Sequence, residues 1–317
     1  SPTSLGIYVD TLGSTNPISG NLGLVTTEAD LILGAEAART TNSRNIVVSG
    51  AVLDPYVQMM AANSGVTWNA YGGSLTWMAT VASTGTSANQ IAMAKIPYTF
   101  FVRETDNVWN FADGLEQRYG VEALGTRENQ LFQKLNGIGK NEKILFYQAT
   151  DEMMGHQYAN VQQRIFETGN MLNKEFRYLR DEWDTKSKQS NKIKVFGMKD
   201  EYKTNTAGVI DYDSNAWGVA YVHEDEKIKM GNSDGWYAGV VTNRFKFSDI
   251  GHSKEDQTML KAGVFKTMSP KKDYNGALQW TIGGDVFAGI NNMKRKFLVV
   301  DDVFEAKSNY NSYGAAL

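Results

Sequence analysis

Residues from about 191 onward alternate between apolar and polar or small side chains, and this period of two restricts the fold more than any other feature. Because neighbouring side chains of a β-strand point to opposite faces, each alternating segment predicts a strand with one apolar face. Strands of about 9–11 residues built this way suit a membrane barrel, and a soluble β-sandwich is the competing interpretation. The clearest segments contain Trp217/Val219/Tyr221, Leu260/Ala262/Val264 and Leu278/Trp280/Ile282.

Turn-like or charged connectors separate the predicted strands, at residues 203–215, 224–233, 248–256 and 269–275. Each alternating segment alone is a weak indication, and the repetition carries the prediction. We expect the segment at 293–300 to join the loop before it as an irregular excursion. The strands are predicted at residues 192–202, 216–228, 235–247, 257–268, 276–287, 293–300 and 306–317.

Residues 111 to about 185 have a helical period instead. Two sets of four apolar residues are each spaced by four, three and four positions, which places each set on one face of a helix. Gly169 between the sets predicts a bend or a break, and a helix packed on a soluble core is the alternative interpretation. The sets are Met154/Tyr158/Val161/Ile165 and Leu172/Phe176/Leu179/Trp183, and a basic opposite side is expected at Arg164, Lys174, Arg177 and Arg180.

Residues 1 to about 110 are rich in Gly, Thr, Ser, Asn and Ala. Short strand-like runs at residues 6–9, 46–48 and 74–78 are separated by turn residues, and a helix is predicted at residues 53–62. This pattern suits the final rungs of a β-solenoid, although no clear internal repeat is present.

Composition narrows the classes of protein. The formal net charge of -3 argues against a nucleic-acid-binding protein, and the absence of cysteine excludes a disulfide scaffold. Abundant glycine and aromatic residues suit short strands and turns, although composition alone favours an ordinary soluble β-rich protein. Residues 1–10 do not resemble a signal peptide, so an exported form is expected to be a processed chain or a fragment.

The sequence predicts no catalytic, metal or cofactor site. The stretch around Ser87 resembles a subtilase nucleophile motif, but His156, His223 and His252 all follow it, whereas a subtilase has its histidine before the serine. A polar turn is the preferred interpretation of Ser87. Acidic clusters offer oxygen ligands for calcium but lack the spacing of a calcium loop, so solvated loop acids are expected at Asp211/Asp213, Glu224/Asp225/Glu226 and Asp301/Asp302.

Several stretches resemble type V (classical) autotransporters. Residues 146–159 (FYQATDEMMGHQYA) and 174–180 (KEFRYLR) are similar to the helical linker that precedes the β-domain of that family. The similarity is closest to the large fusobacterial autotransporter adhesins. The matching stretches are residues 6–11 (GIYVDT), 16–18 (NPI), 113–120 (DGLEQRYG), 194–198 (KVFGM) and 295–302 (RKFLVVDD).

The resemblance implies a mainly β chain with a helical linker. Residues 1–110 would be the C-terminal end of a β-helix passenger, residues 111–190 a linker with a lumen helix, and residues 191–317 the N-terminal half of an antiparallel outer-membrane β-barrel. Family barrels have twelve strands, so the six or seven strands readable before Leu317 imply a truncated chain.

The function that the resemblance implies is non-enzymatic. The β-domain would export a cell-surface adhesin and anchor it in the bacterial outer membrane, with the N-terminal part at the cell surface. Implied partners are outer-membrane lipid, the barrel-assembly machinery, the passenger in cis and, through the passenger, host or bacterial surface ligands, with no nucleic acid. The alternatives are the anchor region of a secreted surface serine protease whose catalytic domain lies upstream, and a soluble β-rich binding module.

Overall fold

A computed structural model of the chain describes residues 4–84, 88–182, 189–226, 232–268 and 280–317. The chain is mainly β, as expected, because 45% of the described residues are in strands against 29% in helices. It divides into two compact units: unit 1 is Ser1–Met154 with Leu298–Phe304, and unit 2 is Gly155–Phe297 with Glu305–Leu317.

Unit 1 contains two small sheets. Its strands are β1 (Leu5–Val9), β2 (Glu28–Leu33), β3 (Asn45–Val48), β4 (Thr67–Gly72), β5 (Trp77–Thr84) and β6 (Ala88–Lys95), with helix α1 (Asp54–Ala62) between β3 and β4. Strands β1, β2 and β4 form a parallel sheet in that order, and β3, β6 and β5 form an antiparallel sheet. The strands predicted at 6–9 and 46–48 and the helix at 53–62 are confirmed, whereas most of the run at 74–78 precedes β5.

Apolar side chains in register hold the parallel sheet together. Ile7 is paired with Leu31 and Val9 with Leu33, and all four side chains are buried. Residues two apart on a strand share a face, so the common register stacks one apolar column on the next. The described residues show three parallel strands of this kind and not a full β-helix.

Three helices complete unit 1: α2 (Asn107–Arg118), α3 (Arg127–Asn136) and α4 (Lys143–Met153). An aromatic core lies among them, in which the ring centroids of Tyr98 and Phe146 are 5.9 Å apart and those of Tyr119 and Phe132 are 5.6 Å apart. Aromatic pairs at such distances add stability beyond the apolar area they bury.

Unit 2 is built from one long helix and a six-stranded sheet. Helix α5 (Val161–Arg177) continues as a π-helical turn at Tyr178–Glu182. The strands are β7 (Gln189–Tyr202), β8 (Tyr212–Glu226), β9 (Ser233–Phe247), β10 (Lys254–Met268), β11 (Trp280–Val299) and β12 (Asp302–Ala316).

Each strand of this sheet pairs antiparallel with the next, in the order β12-β11-β10-β9-β8-β7. The sheet curls into a half-barrel, and α5 contacts β8, β9 and β10. Across the described ranges, no helix combines the length and the apolar character needed to cross a membrane.

Five of the predicted strands agree with β7, β8, β9, β10 and β12 to within a few residues at either end. The predicted break between 276–287 and 293–300 is wrong. Strand β11 continues without an excursion because residues 288–291 keep the alternation: Ala288 and Ile290 are exposed, while Gly289 and Asn291 are buried. The connector predicted at 269–275 lies outside the described residues.

The prediction that Met154, Tyr158, Val161 and Ile165 lie on one face of a single helix is wrong. Gly155 (φ 80°) and Asn160 (φ 62°) adopt left-handed backbone conformations, which interrupt a helix. Met154 therefore caps α4, Tyr158 lies in a short 3₁₀ turn, and α5 begins only at Val161.

The second stripe is largely confirmed. Leu172, Phe176 and Leu179 are buried, and Trp183 lies outside the described residues. Helix α5 passes through Gly169 without the predicted break. Arg164, expected on an exposed basic side, is fully buried, because it pairs with a carboxylate of the sheet.

Candidate functional site

The curled sheet of unit 2 has an inner face against α5 and an outer face directed away from it. On the outer face, the strand register aligns apolar side chains in rows. Val195, Leu260 and Val286 in these rows are 72%, 60% and 62% exposed. A contiguous exposed apolar surface marks contact with another apolar phase or molecule. One row is Val195, Val219, Val240, Leu260 and Ala288, and the next is Ile193, Tyr221, Ala238, Ala262 and Val286.

The outer face carries the described apolar members of two alternating segments: Leu260, Ala262, Val264, Trp280 and Ile282. Ala262 is exposed among larger apolar side chains. Thr281 lies between Trp280 and Ile282 and therefore has the alternate, inward-facing position on β11. Leu278 and Gln279 lie outside the described residues. The larger side chains, each 60% to 65% exposed, are Leu260, Val264, Trp280 and Ile282.

The apolar surface has a defined width along β11. Its outer-face residues are apolar or glycine from Trp280 to Ile290. At about 3.4 Å per residue this interval is about 34 Å long. If β11 is tilted by about 40° from a barrel axis, this interval extends about 26 Å along the axis. That length is close to the apolar band of about 25 Å found on outer-membrane barrels.

Polar rows border the apolar surface at both ends of the strands. The aromatic residue Trp217 lies at one border, while the rings of Tyr221 and Trp236 lie 4.9 Å apart near the other. Aromatic side chains at both borders are typical of residues at a membrane–water interface. One polar row is Lys199, Asn215, Arg244, Asp256 and Asn292. The other, on β8, β9 and β10, is Asp225, Asp234 and Lys266.

The inner face admits α5 because small residues lie beneath it. A Cβ at Gly239 would lie 2.7 Å from Cδ2 of Leu172 and 2.9 Å from Cζ of Phe176, so only glycine lets the helix approach this closely. Alanines on β8 continue this small surface. The buried cluster formed with the sheet includes Met171, Leu172, Phe176, Leu179, Phe196, Ala216, Ala220, Val222, Tyr237, Val241, Met259 and Phe265.

A buried ion pair holds the N-terminal half of α5. Nη2 of Arg164 lies 2.7 Å from Oε2 of Glu255 on β10, and the two side chains are 1% and 0% exposed. Arg164 also donates to the backbone carbonyls of Gln157 and Ala159, at 2.7 and 2.8 Å. The hydroxyl of Tyr310 on β12 donates to the other oxygen of Glu255. Partners on both sides of the pair offset the cost of removing two charges from water.

Further polar contacts fix the helix along its length. Oγ1 of Thr168 donates to Oε1 of Gln257 at 2.8 Å and accepts from Nδ2 of Asn243 at 3.2 Å. Nearer the C-terminal half, Nζ of Lys261 donates to Oδ1 of Asn173 at 2.8 Å. The inner face is therefore polar around a central apolar contact, as the lumen of a barrel can be.

Sequence reasoning missed Arg164 and Thr168 as buried contacts. The signal was present, since steps of four residues back from Leu172 lead to Thr168 and then to Arg164. Their polarity suggested exposure. Their partners, however, lie on β10, about ninety residues away in the chain: Glu255 for Arg164 and Gln257 for Thr168.

The structure does not assemble the other candidate residues into a site. Ser87 lies outside the described residues. Within the described part of the chain, no group of three or more histidine, aspartate or glutamate side chains is arranged to hold a metal ion. The acids have other partners: Asp211 accepts from the Thr204 backbone N–H, Glu224 from Ser233, Asp301 pairs with Lys134 and Asp302 with Arg127.

A second buried charge lies in unit 1. Nζ of Lys95 pairs with Glu116 and lies 3.5 Å from the ring centre of Tyr98 and 4.9 Å from that of Tyr119. Burial lowers the pKa of Lys95 to about 8, although the hydrogen bond and negative charge of Glu116 oppose the shift. Burial raises the pKa of the Glu116 carboxyl, but Lys95, the Tyr98 N–H and Arg44 together bring that pKa below its ordinary value.

No family model matches the sequence, and no curated protein and no solved structure is significantly similar to it. Function is therefore inferred from the two faces of the sheet and the helix seated on one of them.

Proposed function

We propose that this chain is the translocator region of an autotransporter, which exports a cell-surface adhesin and anchors it in the bacterial outer membrane. The observation that supports it best is the opposite chemistry of the two sheet faces. The outer face presents apolar rows, which along β11 reach the width of a membrane, while the inner face buries charged and polar groups around α5.

This arrangement is the reverse of an ordinary soluble sheet, whose polar face meets water and whose apolar face meets the core. In the proposed state, hydrocarbon covers Val195, Leu260 and Val286, and α5 fills the lumen. Strands β7 and β12 are the edges of the six-stranded sheet. Each unpaired backbone group in hydrocarbon costs several kcal/mol, on the order of a lost hydrogen bond in an apolar medium, so the proposal requires further strands to close a barrel of twelve.

Export and anchoring follow as physical roles in this proposal. The lumen offers the passenger a polar passage, folding outside the cell makes the passage irreversible, and α5 then seals the lumen through Arg164 and Glu255. The parallel strands β1, β2 and β4 are proposed to be the last rungs of a β-helical passenger. Outer-membrane lipid and the barrel-assembly machinery are the proposed partners, with surface ligands reached through the passenger.

Adjacent residues on β11 allow a direct test, because the chain has no cysteine of its own. Ile282→Cys and Thr281→Cys variants of the full-length protein are labelled with a fluorophore and reconstituted in vesicles that contain brominated lipid. We expect quenching at position 282 and little at position 281, since only the former faces hydrocarbon. Equal quenching, or none at either site, would contradict the proposal and favour a soluble module.

Export is tested separately on intact cells. An epitope inserted in the loop at residues 41–44 of the full-length protein should be removed by external protease, while the segment from α5 onward stays protected in the outer-membrane fraction. An epitope that becomes accessible only after the cells are lysed would contradict export.

A further inference from the structure

Three lysines lie side by side on the outer face of the sheet. Lys254 on β10 is the direct register partner of Lys246 on β9 and of Lys294 on β11. All three side chains are exposed. Neighbouring strands are about 4.8 Å apart, so like charges directly opposite one another destabilise the sheet unless an anion neutralises them.

The protein supplies little of that neutralisation itself. Lys294 pairs with Glu305 on β12 at 3.5 Å. In the part of the chain that the structure describes, Lys246 and Lys254 form no ion pair, although Asp213 is the register partner of Lys246 on β8. The nearest outer-face charges toward the apolar surface, Arg244 and Asp256, neutralise each other at 2.7 Å.

The position of the three lysines suits the headgroup layer of a bilayer. They lie four residues beyond the row of Trp217, Thr242 and Thr258 that ends the apolar surface. That interval is about 14 Å along the strand, or about 10 Å along the axis of a barrel whose strands tilt by about 40°. Lysine stems bend back toward an interface and bring their ammonium groups into the headgroup region.

We propose that Lys246, Lys254 and Lys294 form a binding site for the phosphate of an anionic membrane lipid, whose acyl chains lie along the apolar rows. This inference rests on the proposed function, because it takes the outer face to be in lipid. A phosphate offers several acceptor oxygens at one point, and three ammonium groups on adjacent strands converge on it. The acyl chains distinguish a lipid from free phosphate, since the apolar rows continue directly from the site.

The test uses the full-length protein in an uncharged detergent, titrated with short-chain phosphatidylglycerol, short-chain phosphatidylcholine and inorganic phosphate. Because lysines near an anionic lipid surface attract its headgroups, the Lys246→Gln/Lys254→Gln/Lys294→Gln variant should bind phosphatidylglycerol at least about tenfold more weakly. A variant with the same charge change on exposed residues of unit 1, Arg103→Gln/Lys140→Gln/Lys143→Gln, should bind like the unmodified protein.

Several results would overturn the inference. Unchanged binding by the triple variant, an equal loss in the control variant, or inorganic phosphate binding as tightly as phosphatidylglycerol would each do so. If Ile282→Cys is quenched by brominated lipid and the lysine variant still binds normally, only the lysine site is wrong. Absence of quenching together with absence of lipid binding would overturn the proposed function itself.

Discussion

The guanidinium of Arg164 and the carboxylate of Glu255 lie 2.7 Å apart with both side chains excluded from water, whereas Arg244 and Asp256 are equally close but 55% and 44% exposed. Glu255 and Asp256 are neighbours on β10 and point to opposite faces of the sheet. The two pairs have the same separation and differ in burial, so substitutions in each pair measure the effect of burial on its stability.

Glu255→Gln should loosen α5 from the sheet. Arg164 would keep its charge in a buried position without a counter-ion, which costs about 3–5 kcal/mol. The free energy of unfolding and the deuterium exchange of α5 amides report this loss. In the control, Asp256→Asn should cost less than about 1 kcal/mol, because the exposed pair is screened by water. Similar losses of unfolding free energy in the two variants would show that burial does not strengthen the contribution of the Arg164 pair to stability.

Gly239→Ala tests the close approach of α5 to β9. The added methyl would meet the side chains of Leu172 and Phe176 and the carbonyl of Val219 at 3.0 Å or less. Overpacking of this kind costs about 1–3 kcal/mol in unfolding experiments. Gly197→Ala on β7 is the control, since a Cβ there would meet only the Ala216 carbonyl, at 3.6 Å. A control variant as unstable as Gly239→Ala would contradict the packing described for α5.

Leu260→Arg should reduce the stability of the protein in bilayers by about 2–4 kcal/mol, the cost of a charge on the lipid face of a barrel. Thr281→Arg on the other face should be milder, because an arginine there stays among polar groups. Unfolding in lipid vesicles by denaturant measures both. If the two substitutions cost the same, the faces are not divided between lipid and lumen.

Lys95 should titrate far below the usual lysine range, with a pKa of about 8 against 10.5 for an unperturbed lysine. Between these two values the unfolded chain binds the extra proton, so the stability that depends on Lys95 should rise as the pH rises. The whole effect is at most about 3 kcal/mol. The ¹³Cε resonance of Lys95 in a pH titration reports the pKa directly.

Glu116→Gln is the companion variant for Lys95. Loss of the carboxylate removes the interactions that oppose desolvation, so the pKa of Lys95 should fall further. A midpoint that returns to the ordinary lysine value in either protein would contradict the buried, paired position of Lys95.

The strands of unit 2 were largely predictable because the pattern that marks each strand lies within its own sequence. Alternation along each strand, as in Trp217, Val219 and Tyr221, already separates the two faces. The break expected before residue 293 was wrong because Gly289 and Asn291 look like turn residues in sequence. They lie on the inner face, where Gly289 is close to Ser312 of β12 and where the side chain of Asn291 donates to the backbone of Tyr310.

The contacts of α5 were less predictable because they join distant segments. Spacing alone identified Leu172, Phe176 and Leu179, which are apolar and buried. The helix start could not be read from spacing, since the left-handed conformations of Gly155 and Asn160 interrupt a continuous apolar period. The pairing of the three lysines likewise depends on register, which needs the whole sheet.

Helix α5 carries its charged contact, Arg164, about two turns before its apolar contacts, Leu172 and Phe176. Sliding the helix along the sheet by one turn would move the guanidinium away from Glu255 and place Leu172 beside Asn243 and Gln257, the present partners of Thr168. The charged and the apolar contacts together fix α5 at one position along the sheet. In the proposed barrel, we therefore expect the helix to leave this position in a single step.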